Sequence, residues 1–264
     1  ATARGYLAGA GTQSAGLCMG GTTGSNSVVT EEYNGTSWSS GGNLATARSY
    51  LAGAGTQSAG LCMGGTTGSY SVVTEEYNGT SWSSGGNLAT ARHALAGAGT
   101  QSAGLCMGGT TGSYSVVTEE YNGTSWSSGG NLATAREGLA GAGTQSAGLC
   151  MGGTTGSYSV VTEEYNGTSW SSGGNLATAR GYLAGAGTQS AGLCMGGTTG
   201  SNSVVTEEYN GTSWSSGGNL ITARHGLAGA GTQSAGLCMG GYAGSYSVVT
   251  EEYTKPNIIN PVEV

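Results

Sequence analysis

Residues 1–44 read ATARGYLAGAGTQSAGLCMGGTTGSNSVVTEEYNGTSWSSGGNL, and residues 45–88 repeat that string with changes only at Ser49 and Tyr70. Units of this kind begin at Ala1, Ala45, Ala89, Ala133, Ala177 and Ile221, and six of them fill the 264 residues without remainder. A period of this length is the mark of an array, a solenoid or a propeller. Within one unit, YLAGAGT, AGLCMGG, SVVTEEY and TSWSS are short β-like segments parted by QS, TTGS and NG turn signals, which predicts four strands. Asn34-Gly35 is expected to make a type I′ hairpin between the third and fourth strands. Glycine recurs too often for helix, and no 3.6-residue apolar stripe survives.

A four-stranded meander cannot bury both of its faces alone, so neighbouring copies must cover it. The unbroken apolar run Leu17-Cys18-Met19 suits a strand buried on both sides, as when propeller blades pack face to face. Gly9, Gly11, Gly16, Gly20 and Gly21 would let backbones approach closely near the axis. The expected fold is therefore all-β: a six-bladed β-propeller with one four-stranded antiparallel blade per repeat, at residues 1–44, 45–88, 89–132, 133–176, 177–220 and 221–264. The last repeat replaces NGTSWSSGGNL by TKPNIINPVEV, and Thr254 to Val264 is expected to supply the outermost strand of the sixth blade. Pro256 and Pro261 suit an edge strand, and the ring would close by face packing of the first blade on the sixth.

An arginine before the first strand, a glycine pair ending the second, a tyrosine ending the third and a tryptophan in the fourth make up a pattern carried by Arg4, Gly20-Gly21, Tyr33 and Trp38. This pattern resembles the kelch repeat, and the likeness runs along the whole chain. It implies a propeller; for function it implies little, because kelch propellers include binding modules, scaffolds and an oxidase branch. The chain departs from the family at Glu32, where an apolar residue usually stands. NLATAR followed by LAGAGTQSAGL and TEEYNGTSW is also similar to glycine-rich kelch-type repeats of bacteriophage tail-fibre-like proteins. That likeness implies a virion or extracellular surface.

Composition narrows the function classes. There are 55 glycines and no phenylalanine, and only 8% of residues are charged. The net charge is −7, with no extended basic stretch to track a phosphate backbone, which argues against nucleic acid. No apolar stretch reaches the ~20 residues of a membrane span. Without a signal peptide or initiating methionine, the chain reads as a mature domain or an excised fragment. Cys18, Cys62, Cys106, Cys150, Cys194 and Cys238 hold one repeat position. Equivalent strands of stacked sheets lie about 10 Å apart, beyond the ~7 Å limit for a bridge, so these are expected to be buried small hydrophobes compatible with folding in a reducing cytoplasm.

Catalysis needs different groups converging on one asymmetric site, and near-identical copies offer the opposite. The two histidines, His93 and His225, fall in repeats three and six and are expected on opposite sides of the axis, which disfavours a shared metal. No cofactor and no enzymatic activity are expected. EYNGTSW resembles the aspartate-box turn of sialidases, but Tyr33 stands where the aspartate should be. Each arginine is expected to pair with a glutamate of its own or an adjacent blade, since a part-buried charge needs a partner. The Asn34-Gly35-Thr36 sequon and its copies are already explained by the turn.

The remaining signal lies where the copies differ. After the arginines stand Gly5-Tyr6, Ser49-Tyr50, His93-Ala94, Glu137-Gly138, Gly181-Tyr182 and His225-Gly226. The second variable series is Asn26, Tyr70, Tyr114, Tyr158, Asn202 and Tyr246, and repeat six adds Tyr242. In an up-and-down blade both positions emerge on one face, so they should converge on the rim of the central channel. Asn26, in its loop, is expected to be free of the interblade constraint that fixes the rest. The candidate ligand-binding set is Tyr6, Asn26, Ser49, Tyr50, Tyr70, His93, Tyr114, Glu137, Tyr158, Tyr182, Asn202, His225, Tyr242 and Tyr246. Tyrosine, asparagine and serine make adaptable contacts on a fixed scaffold, which suits a cell-surface glycan or protein receptor. Drift among duplicated repeats would also concentrate change at such positions. The alternatives are a structural spacer whose partners are neighbouring chains of a larger assembly, and an engineered symmetric propeller.

Overall fold

The computed structural model describes residues 2–255, which form six antiparallel sheets and no helix. Each of the first five repeats is a four-stranded meander in sequence order. In the first blade the strands are Ala8–Gly11, Gly16–Met19, Thr30–Tyr33 and Trp38–Ser40. The sixth blade has three strands among the described residues: Ala228–Gly231, Ala235–Met239 and Thr250–Thr254. The fold is a six-bladed β-propeller.

Glycine sets how tightly the blades crowd the axis. A Cβ on Gly9 would lie 2.7 Å from the Gly229 carbonyl oxygen, and one on Gly53 2.6 Å from that of Gly9. The same contact passes from blade to blade until Gly229 meets Gly185 at 2.5 Å. Only a hydrogen fits at these six places, so the innermost strands can touch backbone to backbone.

The second strand is buried on both faces, and its side chains alternate between two neighbours. Leu17 and Met19 pack with Leu51, Cys62 and Tyr77 of the next blade. Cys18 turns the other way and packs with Leu237 and Met239 of the sixth. This double burial is why the run is apolar without a polar gap. Leu7, Cys18, Tyr33 and Trp38 meet Ala228, Ala230, Leu237 and Met239, so the ring closes face to face.

Polar latches join the blade edges. Tyr77 donates its hydroxyl to Glu32 of the preceding blade at 2.6 Å, and Trp82 donates its indole N–H to Thr30 at 2.9 Å. Gln57 donates to the Gly16 and Tyr33 carbonyls at 2.9 and 2.8 Å. Glu32, out of place for an apolar position, is thus the acceptor of an interblade bond. The closing boundary repeats the set: Tyr33 donates to Glu252 at 3.0 Å and Trp38 to Thr250 at 2.9 Å.

Each blade also contains a buried ionic node. Arg48 is wholly buried, and its guanidinium donates to the Gly64 and Val73 carbonyls, to the Cys62 sulfur and to Glu75 of its own blade, the last at 2.8 Å. The other Glu75 oxygen accepts from the Ala45 backbone N–H at 2.7 Å, so one carboxylate clamps the blade's entry segment at two points. The expected arginine–glutamate pairing therefore forms within each blade. The cysteines are free and buried, but they are more than hydrophobes: each accepts a guanidinium hydrogen bond. Burial still dominates their acidity, pushing the Cys62 thiol up to about 11.

Three local expectations change. Tyr33 pairs with Trp38, so the connection has four residues, and Gly35 rather than Asn34 takes positive φ. The turn is closed by the Asn34 side chain, which accepts from the Thr36 and Ser37 N–H groups at 3.0 and 2.9 Å, so it is not type I′. The third strand starts at Thr30 rather than Ser27, because the Ser27, Val28 and Val29 carbonyls bond Arg48, Leu44 and Gly20 outside the ladder. Thr254, which replaces the turn asparagine, extends the third strand of blade six opposite Ala235. The rest of the outer strand expected from Thr254 to Val264 lies, beyond Lys255, outside the described residues.

Candidate functional site

At one end of the channel the residue two after each arginine takes left-handed backbone geometry. Tyr6, Tyr50, Ala94, Gly138, Tyr182 and Gly226 have φ of 53, 54, 53, 59, 52 and 59°. Their amides form a closed ring in which each N–H donates to the carbonyl of the preceding blade. Tyr6 donates to Gly226 at 2.6 Å, Tyr50 to Tyr6 at 2.9 Å and Ala94 to Tyr50 at 2.8 Å. Gly138 donates to Ala94, Tyr182 to Gly138 and Gly226 to Tyr182 at 2.8, 2.6 and 2.8 Å. Glycine occupies such geometry freely, whereas each tyrosine there costs about 1–2 kcal/mol. The ring bonds offset that strain and hold the side chains over the axis.

Each tyrosine leans back over the blade before it. A Cβ on Gly226 would lie 2.8 Å from the Tyr6 ring, and one on Gly138 2.9 Å from the Tyr182 ring. Tyr50 stacks on Tyr6 with centroids 4.1 Å apart, and Tyr182 meets both edge-on at 6.0 and 6.3 Å. Three aromatic rings thus cap a central cavity of about 120 Å³ whose wall includes Leu7, Leu51, Leu95 and their counterparts.

The two variable series interlock across the blade boundaries, so Asn26 is not free of interblade constraint. Asn26 accepts from the Ser49 hydroxyl at 2.7 Å and donates to the Thr66 carbonyl at 3.0 Å. Asn202 meets His225 in the equivalent place, with Oδ1 2.6 Å from Nδ1. Tyr70 stacks on His93 with centroids 4.9 Å apart and planes at 13°. Tyr246 lies against Gly5 and Tyr158 against Gly181, where an added Cβ would be 3.1 and 3.2 Å from the rings. Tyr242 sits beside both His225 and Tyr246. Glycine faces tyrosine at two boundaries, serine and histidine face asparagine at two others, and His93 lies flat against Tyr70, so the two sides of these joints are matched pair by pair.

Two sectors of the rim differ in how far they satisfy themselves. Around His225 the network is complete: the Asn202 oxygen can only accept, so Nδ1 carries the proton and Nε2 accepts from the Tyr6 hydroxyl at 2.8 Å. Burial raises the Tyr6 hydroxyl and lowers the His225 imidazole, which keeps the pair uncharged near neutral pH. In the sector of blades two to four, Tyr70, Tyr114 and Tyr158 are 43%, 41% and 37% exposed. His93 has its Nδ1 buried without a hydrogen-bond partner among the described residues. Glu137 accepts from the Tyr182 hydroxyl at 3.1 Å. Burial, with Glu137 second, raises Tyr182, while His93 is lowered by burial against the opposing pull of Glu137.

The fourteen sequence-selected residues fall in this one rim system, where His93 and His225 do not touch but are linked through the Tyr50–Tyr6 stack. Sequence reading missed the backbone ring and the cross-blade pairing. Glycine alternating with tyrosine in one repeat column hinted at positive φ, and the partners stand 23 residues apart in sequence, as Asn26–Ser49 and Asn202–His225 do. Among the described residues no group of three or more His, Cys, Asp or Glu could hold a metal ion, and no helix is long and apolar enough to cross a membrane. No family model matches the chain, and no curated protein matches it.

Proposed function

We propose that the chain is a non-enzymatic recognition module, a kelch-like propeller whose variable rim binds a cell-surface glycan. The supporting observation is the run of exposed tyrosines on three consecutive blades, Tyr70, Tyr114 and Tyr158, beside a rigid tyrosine cap. An exposed phenol ring offers a flat apolar face and a polar tip at small entropic loss, which suits a pyranose. The likeness of the repeats to phage tail-fibre-type sequences makes a virion or cell exterior the natural setting. The test is a glycan array with the purified protein: the wild type is expected to retain a defined set of sugars, and Tyr70→Ala, Tyr114→Ala and Tyr158→Ala together to lose them. An empty array overturns this reading.

A second reading, a structural spacer or assembly module, is favoured by the self-satisfied sector, where Asn202, His225 and Tyr6 spend their polar groups on one another. It predicts that neighbouring chains, rather than sugars, cover the exposed tyrosines.

A further inference from the structure

The rim has an electrostatic character that the exposed tyrosines alone do not define. All six arginines are wholly buried and each is paired with a glutamate of its own blade. Lys255, the remaining side-chain cation of the described residues, is paired with Glu208 in the third strand of the fifth blade. The two rim histidines are held below their ordinary value by burial and stay neutral near pH 7. Among the described residues no cation is therefore left at the channel mouth to receive a carboxylate, sulfate or phosphate, and the chain as a whole carries −7. A ligand bearing several negative charges would approach against this field and find no partner.

The one formal charge among the variable rim residues is Glu137. It is half-buried, and one carboxylate oxygen accepts from Tyr182 at 3.1 Å while the other takes no hydrogen bond among the described residues. Around it stand His93, whose lowered pKa the carboxylate opposes, the Tyr70 ring stacked on that histidine, and Tyr114, which precedes Glu137 by the same 23 residues that part the cross-blade partners Asn26 and Ser49. A carboxylate with a spare oxygen, flanked by exposed aromatic faces, is the donor set that recognises a protonated amine.

Resting on the glycan reading, we propose that the preferred ligand is a sugar with a free amino group, whose ammonium is held by Glu137 while its ring packs on Tyr70 or Tyr114. Acylation of that nitrogen would remove the charge and leave only stacking. The free carboxylate oxygen and the ammonium make a charge-assisted hydrogen bond, so binding weakens as salt rises.

The experiment is calorimetric titration of the full chain with an oligomer of glucosamine, its N-acetylated counterpart of equal length, a sialylated oligosaccharide and an oligolysine peptide. The glucosamine oligomer is expected to bind at least about fivefold more tightly than the acetylated one, and Glu137→Gln to abolish that preference while leaving the melting temperature near wild type. Equal affinity for the acetylated oligomer, or an unchanged preference in Glu137→Gln, overturns the amine assignment and leaves glycan recognition standing. Tighter binding of the sialylated sugar overturns it too, and binding of oligolysine alone overturns the choice of a sugar. An empty glycan array, by contrast, removes the underlying reading.

Discussion

The buried arginine node and the channel rim sit a few residues apart in every repeat, yet they obey opposite rules. At the node, Arg4 and its five counterparts make the same bonds to a glycine carbonyl, a valine carbonyl, a cysteine and a glutamate. At the rim, the boundaries solve the same contact in several ways: a hydroxyl on an amide, an imidazole under a phenol, a glycine beneath a ring. The node is closed within one blade and has no room for a second solution, because a buried charge must keep every partner. The rim joint is shared by two blades and half open to water, so the two sides can change together.

The largest expected effect breaks the node. Arg136→Met leaves Glu163 buried without its cation and should cost about 3–5 kcal/mol in chemical denaturation, with Glu163→Leu in the same chain recovering part of the loss. A loss no larger than that of Tyr114→Ala, which should stay within about 0.5 kcal/mol, would erase the contrast between interior and rim.

A finer contrast uses one substitution at two equivalent threonines. Trp214 donates to Thr162, whereas Thr206 Oγ1 is buried with no hydrogen-bond partner among the described residues, and the sequence carries Ile258 where the next tryptophan would fall. Thr162→Val should lose about 1 kcal/mol by orphaning an indole N–H, and Thr206→Val should be neutral or stabilising. The same sign and size at both sites would mean that the tryptophan latch adds nothing to blade packing.

At the mouth, Ala94→Gly relieves a non-glycine residue at φ 53° and should raise stability by about 0.5–1 kcal/mol without altering the ring bonds, readable as a higher melting temperature. No gain would place the strain elsewhere. The smallest effect is that of pH. Burial holds His93 and His225 below the unfolded value of roughly 6.5, so their contribution is complete above that pH and is lost as pH falls through the folded values. The wild type should melt lower at about pH 5 than at pH 7. The double change His93→Gln and His225→Gln should flatten part of that slope, and an identical slope would take the rim histidines out of the pH response.

Much of this was legible in the chain. The repeat, four segments per unit, the apolar LCM run and one arginine beside two glutamates lead to the propeller, the doubly buried strand and the ion pair. The gathering of the variable residues on one rim follows from blade topology. The Asn-Gly turn misled, because a two-residue hairpin and a four-residue loop closed by an asparagine side chain share the same letters; register decided between them. Asn26 misled in another way, since a loop position looks unconstrained until its neighbour 23 residues on is seen bonded to it.

Local chemistry carried in each repeat fixed what every blade is: glycine where backbones must touch, apolar residues where both faces are covered, a carboxylate for each buried guanidinium. Those needs are met within a blade or between identical surfaces, so a single repeat states them in full. Which tyrosine leans on which glycine, which amide closes the ring, and which carboxylate is left with a spare oxygen were decided only when six blades met around one axis. Such contacts join positions from different repeats, and their geometry exists only once the ring has closed.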